Sequence, residues 1–120
     1  MICVSIGRSR HKHMLAEQKH LCEQGAKLVE LRLDYISSRV NIQRLLKDRP
    51  CPTIVTVRRE QDGGKFTGDE DARLRLLREA IAIGVEYVDL EEDVAGDVPR
   101  FGKTKRIISY HSFRNTPDNL

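Results

Sequence analysis

The stretch VELRLDY (Val29–Tyr35) alternates apolar with charged residues. Successive side chains of a strand point to opposite faces, so Glu30, Arg32 and Asp34 share one face and the apolar residues share the other. Both faces of a parallel strand are normally covered, and a charged face therefore needs polar partners. The stretch predicts a strand with one face in a core and the other face in a polar site.

Strands and helices alternate on both sides of this stretch. The patterns predict strands over 2–6, 28–33, 53–57, 87–90 and 107–110, and helices over 14–23, 41–47 and 70–83. The last helix is the clearest, with Asp69 as its N-cap and Gly84 at its end. The stretch DVAGDVPRFGKTK before the last strand predicts at most a broken helical turn. Such alternation implies parallel strands with right-handed crossovers.

Two architectures fit this order: part of a (β/α)8 TIM barrel, or an open, doubly wound parallel α/β sheet. Titratable side chains end four successive predicted strands, at Asp34, Arg58, Glu91 and His111. Barrel enzymes assemble their sites from several strand ends, whereas an open sheet uses loops around one switch point. The barrel is favoured, and the open sheet stays as the alternative.

Length limits how much of a barrel the chain can form. A complete barrel needs about 250 residues, and the chain has 120. We therefore expect residues 1–120 to be a single domain, the N-terminal half of a barrel with about its first five strands. Thr116, Pro117 and Asp118 read as the start of a further helix close to the last residue.

Composition indicates a globular chain, with 39% apolar and 32% charged residues. No apolar run approaches the ~20 residues that span a bilayer, and the N-terminus lacks the order of a signal peptide. We expect a cytoplasmic protein without membrane partners. A net charge of +3 and 5% aromatic residues argue against nucleic acid and suit a small anionic ligand.

Metal and cofactor motifs are weak in this sequence. Neither the three cysteines (Cys3, Cys22, Cys51) nor the first three histidines (His11, His13, His20) have metal-ligand spacing. The cysteines are expected to be reduced. The stretch GGKFTGD is not in P-loop order, and its paired glycines, Gly63 and Gly64, predict a mobile loop. We expect no metal and no cofactor.

Four motifs, VELRLDY, TVRREQDGGKFTGD (56–69), YVDLE (87–91) and SYHSFRNTP (109–117), occur in an order and spacing that resemble type I 3-dehydroquinate dehydratase. The resemblance covers essentially the whole chain. It implies a (β/α)8 lyase of the shikimate pathway of aromatic amino acid biosynthesis. Such enzymes dehydrate 3-dehydroquinate to 3-dehydroshikimate through a lysine Schiff base, with no cofactor.

The resemblance also implies roles for individual residues. His111 matches the general base, which takes a proton and later returns one to the departing hydroxyl. Asp62 stands where the family often has a glutamate that orients this histidine, and Asp89 is a second candidate carboxylate, as a group near the imine. Four residues match substrate-binding positions: Ser5, Glu30, Arg32 and Arg58.

The family's imine lysine lies on the sixth strand, beyond the segment that begins TPDNL. Lys65 is the one lysine of this sequence expected at the catalytic end of the barrel, and its glycine loop offers little desolvation. We expect the 120-residue chain alone to have little or no dehydratase activity, and to form a homo-oligomer, most simply a dimer. Two alternatives are a non-catalytic half-barrel that binds or regulates, and another Schiff-base barrel enzyme.

Overall fold

The computed structural model of the chain describes residues 3–109, so His111 and the predicted helix start at 116–118 lie outside the described residues. The strands are β1 (Cys3–Ile6), β2 (Leu28–Arg32), β3 (Thr53–Thr56), β4 (Tyr87–Glu91) and β5 (Lys105–Ser109). The helices are α1 (His11–Glu23), α2 (Ile42–Leu46) and α3 (Glu70–Ile83). Short 3-10 helices follow β2, β3 and β4 at Leu33–Tyr35, Glu60–Asp62 and Glu92–Asp97. Over residues 3–109, no helix combines the length and apolar character needed to cross a membrane.

The strands form one parallel sheet in the order β1-β2-β3-β4-β5. Within the described residues this order has no reversal, and therefore none of the switch points around which a doubly wound sheet is built. Strands that follow one another in chain order are those of a barrel wall. The sheet thus confirms the predicted parallel α/β fold and the first strands of an incomplete barrel.

The helices pack side by side against one face of the sheet. Val29 and Leu31 of β2 point into this layer and are completely buried, as the alternation in VELRLDY predicted. They join a core that includes Met14, Leu45, Val55, Leu77, Val88 and Leu90. The opposite face is free of helices in the described part of the chain, and there Ile107 is 38% exposed.

Helix α3 has the predicted bounds because its ends are specified locally. The Asp69 carboxylate accepts a 2.7 Å hydrogen bond from the Ala72 amide, and Gly84 ends the helix with φ of 95°. Helix α1 begins earlier than predicted, at His11. The reason is tertiary, since the buried His11 ring accepts a 2.8 Å hydrogen bond from the Asn41 amide through Nε2.

Two cysteines differ from the prediction of three reduced thiols. Cys22, in the last turn of α1, and Cys51, just before β3, form a disulfide with Cα atoms 6.5 Å apart. Cys3 is free and exposed. The cysteines are 29 residues apart in sequence, so the pairing depends on how α1 packs beside β3.

Candidate active site

The helix-free face of the sheet carries polar side chains toward the C-terminal ends of the strands. Ser5 pairs in register with Glu30, and Arg32 pairs with Thr56 on the neighbouring strand. Residues in register on adjacent parallel strands project from the same face. The face therefore gathers groups from β1, β2 and β3, as the strand-end pattern predicted.

Glu30 is the centre of a hydrogen-bonded group on this face. The Ser5 hydroxyl donates to Glu30 Oε1 at 2.5 Å, and the Thr56 hydroxyl donates to Oε2 at 2.6 Å. Hydrogen bonds to an ionised acceptor are short and strong. The carboxylate is thus held between β1 and β3. The pKa of the Cys3 thiol is raised, first by partial burial of the thiol and second by the negative charge of Glu30.

Asp89 is the centre of a second group. Its Oδ2 lies 3.3 Å from Nη2 of Arg58, and its Oδ1 accepts a hydrogen bond from the Ser109 hydroxyl. Asp89 is buried, whereas the Arg58 side chain is 23% exposed and its Nε is buried without a hydrogen-bond partner in the described residues. Asp89 therefore orients Arg58 from the sheet side and leaves donors for a ligand.

Arg32 is held from the loop side by Asp34. The Arg32 Nε and Nη2 atoms donate to the two Asp34 oxygens at 3.0 and 2.8 Å, a bidentate pair. Burial lowers the pKa of Arg32, but the hydrogen bonds and charge of Asp34 and the charge of Glu30 outweigh it, and the pKa is raised. Arg32 is thus a permanent cation between two carboxylates.

Asp62 lies in the loop 57–69 between β3 and α3, where it is buried and accepts a 2.5 Å hydrogen bond from Arg59 Nε. The terminal nitrogens of Arg59 donate to both Asp93 oxygens at 3.0 Å. These bonds to Asp93, and then that to Asp62, raise the pKa of Arg59. The predicted contact between Asp62 and His111 lies outside the described residues.

Backbone hydrogen bonds define the path of the loop 57–69, and its mobility stays a prediction. The amides of Gly64 and Phe66 donate to the carbonyls of Arg59 and Arg58 at 2.8 and 3.1 Å. A Cβ atom at Gly64 would lie 2.2 Å from the Arg58 carbonyl oxygen. Lys65 is exposed, as expected, with Nζ 5.1 Å from the centroid of the Tyr35 ring.

Sequence reasoning missed several of these partners. Thr56 could have been found from the sequence, because the alternation in TIVT places it on the same face of the sheet as Glu30. No sequence pattern predicted the contact between Arg59 and Asp93, since these residues are 34 positions apart. Glu91 at the end of β4 pairs at 2.8 Å with the buried Arg73 of α3, a contact that no local sequence pattern indicated.

Comparison with known proteins gives consistent results. The family described as Type I 3-dehydroquinase matches residues 2–120. The 3-dehydroquinate dehydratase of Methanopyrus kandleri is 42% identical over 79% of this chain and 46% of its own length. That of Methanothermobacter thermautotrophicus is 36% identical over 97% of this chain and 54% of its own length. The chain thus spans about half the length of these relatives.

Solved structures agree on the fold. A type I 3-dehydroquinate dehydratase from Clostridium difficile, with covalently modified comenic acid, has a TM-score of 0.73 at 23% identity, over 88% of this chain and 48% of that one. The 3-dehydroquinate dehydratase from Aquifex aeolicus has a TM-score of 0.69 at 25% identity, over 92% and 52%. Together with the match along nearly the whole sequence, these likenesses establish that the chain belongs to the type I 3-dehydroquinase family.

Proposed function

We propose that this chain forms the substrate-binding wall of a 3-dehydroquinate dehydratase, a lyase that removes water from 3-dehydroquinate to give 3-dehydroshikimate. One observation carries the proposal: two hydrogen-bonded groups, around Glu30 and Asp89, lie on the helix-free face of a barrel-type sheet. Family membership supports the reaction. In this proposal residues 1–120 are a single domain, the N-terminal half of the barrel.

Substrate binding is assigned to Ser5, Glu30, Arg32 and Arg58. A cyclic polyol that carries a carboxylate presents several acceptors and donors within one ring. Planar guanidinium groups match a carboxylate or neighbouring hydroxyls with two parallel hydrogen bonds. Glu30 has further lone pairs on its two oxygens and can accept from a ring hydroxyl while it keeps its contacts to Ser5 and Thr56.

The chemistry is assigned by family resemblance. A lysine amine condenses with the ring ketone to form an imine and releases water, and the protonated imine then accepts the electron pair left when the adjacent proton departs. His111 takes that proton and returns one to the hydroxyl that leaves as water. Asp62 is proposed to orient His111, and its contact with Arg59 fixes the carboxylate from the opposite side.

The imine lysine is proposed to lie beyond these 120 residues. Lys65 is exposed on the loop 57–69, and its Nζ lies 5.1 Å from the centroid of the Tyr35 ring, so it is not assigned the imine role. We infer that the 120-residue chain has little or no dehydratase activity by itself. For the 120-residue chain by itself we propose a homodimer, since β1 and β5 each have one edge without a partner strand in the described sheet. A cytoplasmic location is part of the same proposal.

Borohydride trapping followed by intact-protein mass spectrometry tests the proposal. The chain is mixed with 3-dehydroquinate, and ultraviolet absorbance follows any conjugated enone product before borohydride is added. The treated chain is then compared with an untreated sample. Ligand binding is followed in parallel through amide chemical shifts of the ¹⁵N-labelled chain. We expect saturable binding, no enone and an unmodified 13.8 kDa species. A species heavier than the unmodified chain by one reduced ligand would place the imine on a lysine of this chain, and absence of binding would contradict 3-dehydroquinate as the ligand.

A further inference from the structure

Asp34 and Tyr35 are consecutive residues of the 3-10 helix that follows β2. Both contact Arg32, and both contact Lys65 in the loop 57–69. Asp34 and Tyr35 therefore contact both Arg32, proposed above to bind substrate, and the loop that carries Asp62. Neither Asp34 nor Tyr35 has a role among the residues assigned to substrate or chemistry.

The Asp34 carboxylate has no exposed surface, and its contacts use both oxygens. Arg32 donates to each oxygen, and the Lys65 backbone amide donates a further hydrogen bond to Oδ2 at 3.1 Å. A buried carboxylate with three donors is fixed in place, since losing one donor would leave an unpaired acceptor or charge. Asp34 thus joins the end of β2 to the loop between β3 and α3.

The Tyr35 ring is held equally closely. A Cβ atom on Gly7, just after β1, would lie 2.8 Å from two carbon atoms of the ring, so the ring packs on a backbone that only glycine leaves open. Arg32 Cζ and Lys65 Nζ each lie 5.1 Å from the ring centroid, within the range of cation–π attraction. The ring therefore connects the segments that follow β1, β2 and β3.

We propose that Asp34 and Tyr35 are positioning residues for Arg32, which they hold over the helix-free face and fasten to the loop 57–69. The inference rests on the proposed function, because Arg32 is taken as a substrate-binding residue. Without Asp34 the guanidinium would lose its bidentate partner and rotate among several rotamers before each binding event. Ligand affinity would then fall although the ligand touches neither Asp34 nor Tyr35.

A double-mutant cycle on ligand affinity tests the role of Asp34. Dissociation constants for 3-dehydroquinate are measured by amide shift titration for the wild-type chain, Asp34→Asn, Arg32→Gln and the double variant. We expect Asp34→Asn to weaken binding about tenfold in the wild-type background and to change it less than about twofold when Arg32 is already Gln. Equal losses in both backgrounds would overturn the inference. Glu17→Gln, which removes an exposed partner of Arg8, is the matched control and should leave affinity unchanged.

Tyr35 gives a second test if Asp34→Asn fails to fold. Tyr35→Phe keeps the ring and should bind as the wild type does, whereas Tyr35→Leu should bind several-fold more weakly. Equal affinity of the Phe and Leu variants would contradict the positioning role of the ring. Wild-type binding without these differences would leave the proposed function standing, and failure of the wild type to bind would overturn both proposals.

Discussion

Arg73 of α3 donates a 2.8 Å hydrogen bond to the backbone carbonyl of Val57, immediately after β3. The Arg73 side chain is completely buried, and it also pairs with Glu70 and, at the end of β4, with Glu91. Burial lowers the pKa of Arg73, but its contacts with Glu70 and Glu91 outweigh this effect. The pKa is raised overall, and the guanidinium stays charged. One arginine from the helix layer thus contacts the end of β4, which carries Asp89, and the residue that lies between β3 and Arg58.

Arg73→Met should therefore destabilise the fold strongly. Removing one partner of a buried ion pair leaves Glu91 without its cation, which typically costs about 3–5 kcal/mol of the free energy of unfolding. Urea unfolding followed by circular dichroism measures this change. Arg75→Met, at an exposed position on the same helix, should differ from wild type by less than about 0.5 kcal/mol. Similar free energies of unfolding for the two variants would contradict a stabilising role for the buried contacts of Arg73.

Gly64→Ala should disturb the loop 57–69. The new Cβ atom would meet the Arg58 carbonyl oxygen at 2.2 Å, a backbone atom that cannot rotate away. We expect a loss of about 1–3 kcal/mol in the free energy of unfolding, together with weaker binding of 3-dehydroquinate. Gly96→Ala is the matched control, because no atom lies within 4 Å of the position that its new methyl group would occupy. Parallel thermal melts and ligand titrations of both variants decide the outcome.

His11 should make stability depend on pH. Burial and the nearby Arg44 charge lower the pKa of the ring from its ordinary 6.5, and the neutral Nε2 accepts from Asn41. The unfolded chain then binds a proton more readily than the folded chain. This contribution to stability is complete above pH 6.5 and is lost as pH falls through the lowered pKa of the folded state.

We expect the free energy of unfolding of the wild-type chain to decrease from pH 7 toward pH 5. The decrease should be smaller in His11→Gln, because the amide oxygen of glutamine can replace the ring nitrogen as acceptor but does not titrate. His13→Gln, at an exposed neighbouring position, should retain the wild-type slope. Chemical unfolding at several pH values gives both slopes. The same slope in all three proteins would exclude His11 as its source.

Thr56→Val should weaken ligand binding and lower the free energy of unfolding by about 1–3 kcal/mol, because Glu30 loses a hydrogen-bond donor. The substitution keeps the shape of the side chain but removes the hydroxyl that donates to Glu30 Oε2 at 2.6 Å. The carboxylate would then be held by Ser5 alone and lose part of its fixed orientation. We expect a several-fold higher dissociation constant for 3-dehydroquinate, measured by amide shift titration. Thr67→Val, an exposed loop position, serves as control, and equal affinities would contradict the role of Thr56.

Local signals explain which parts of the fold could be predicted from the sequence. Helix α3 carries its own start and stop at Asp69 and Gly84, so its bounds were correct to the residue. The alternation around Glu30 and Arg32 identified both the buried and the polar face of β2. Parallel pairing followed from the βα repeat, because it depends on connection length rather than on individual contacts.

Long-range contacts explain what could not be predicted. The Cys22–Cys51 disulfide depends on how α1 packs beside β3, and the early start of α1 at His11 depends on its contact with Asn41 at the start of α2. The contact of Arg59 in the loop 57–69 with Asp93 joins residues that no spacing rule connects. Candidate site residues on strands were thus easier to find than the loop residues that orient them.

Binding of 3-dehydroquinate to wild type and Arg58→Gln tests most directly whether the helix-free face is a substrate-binding wall. Arg75→Gln, on the exposed side of α3, is the control. We expect saturable binding at one site, weakened about tenfold or more by Arg58→Gln because charge-assisted hydrogen bonds are lost, and unchanged by Arg75→Gln. No saturable binding, or equal affinity for wild type and Arg58→Gln, would contradict the proposed wall.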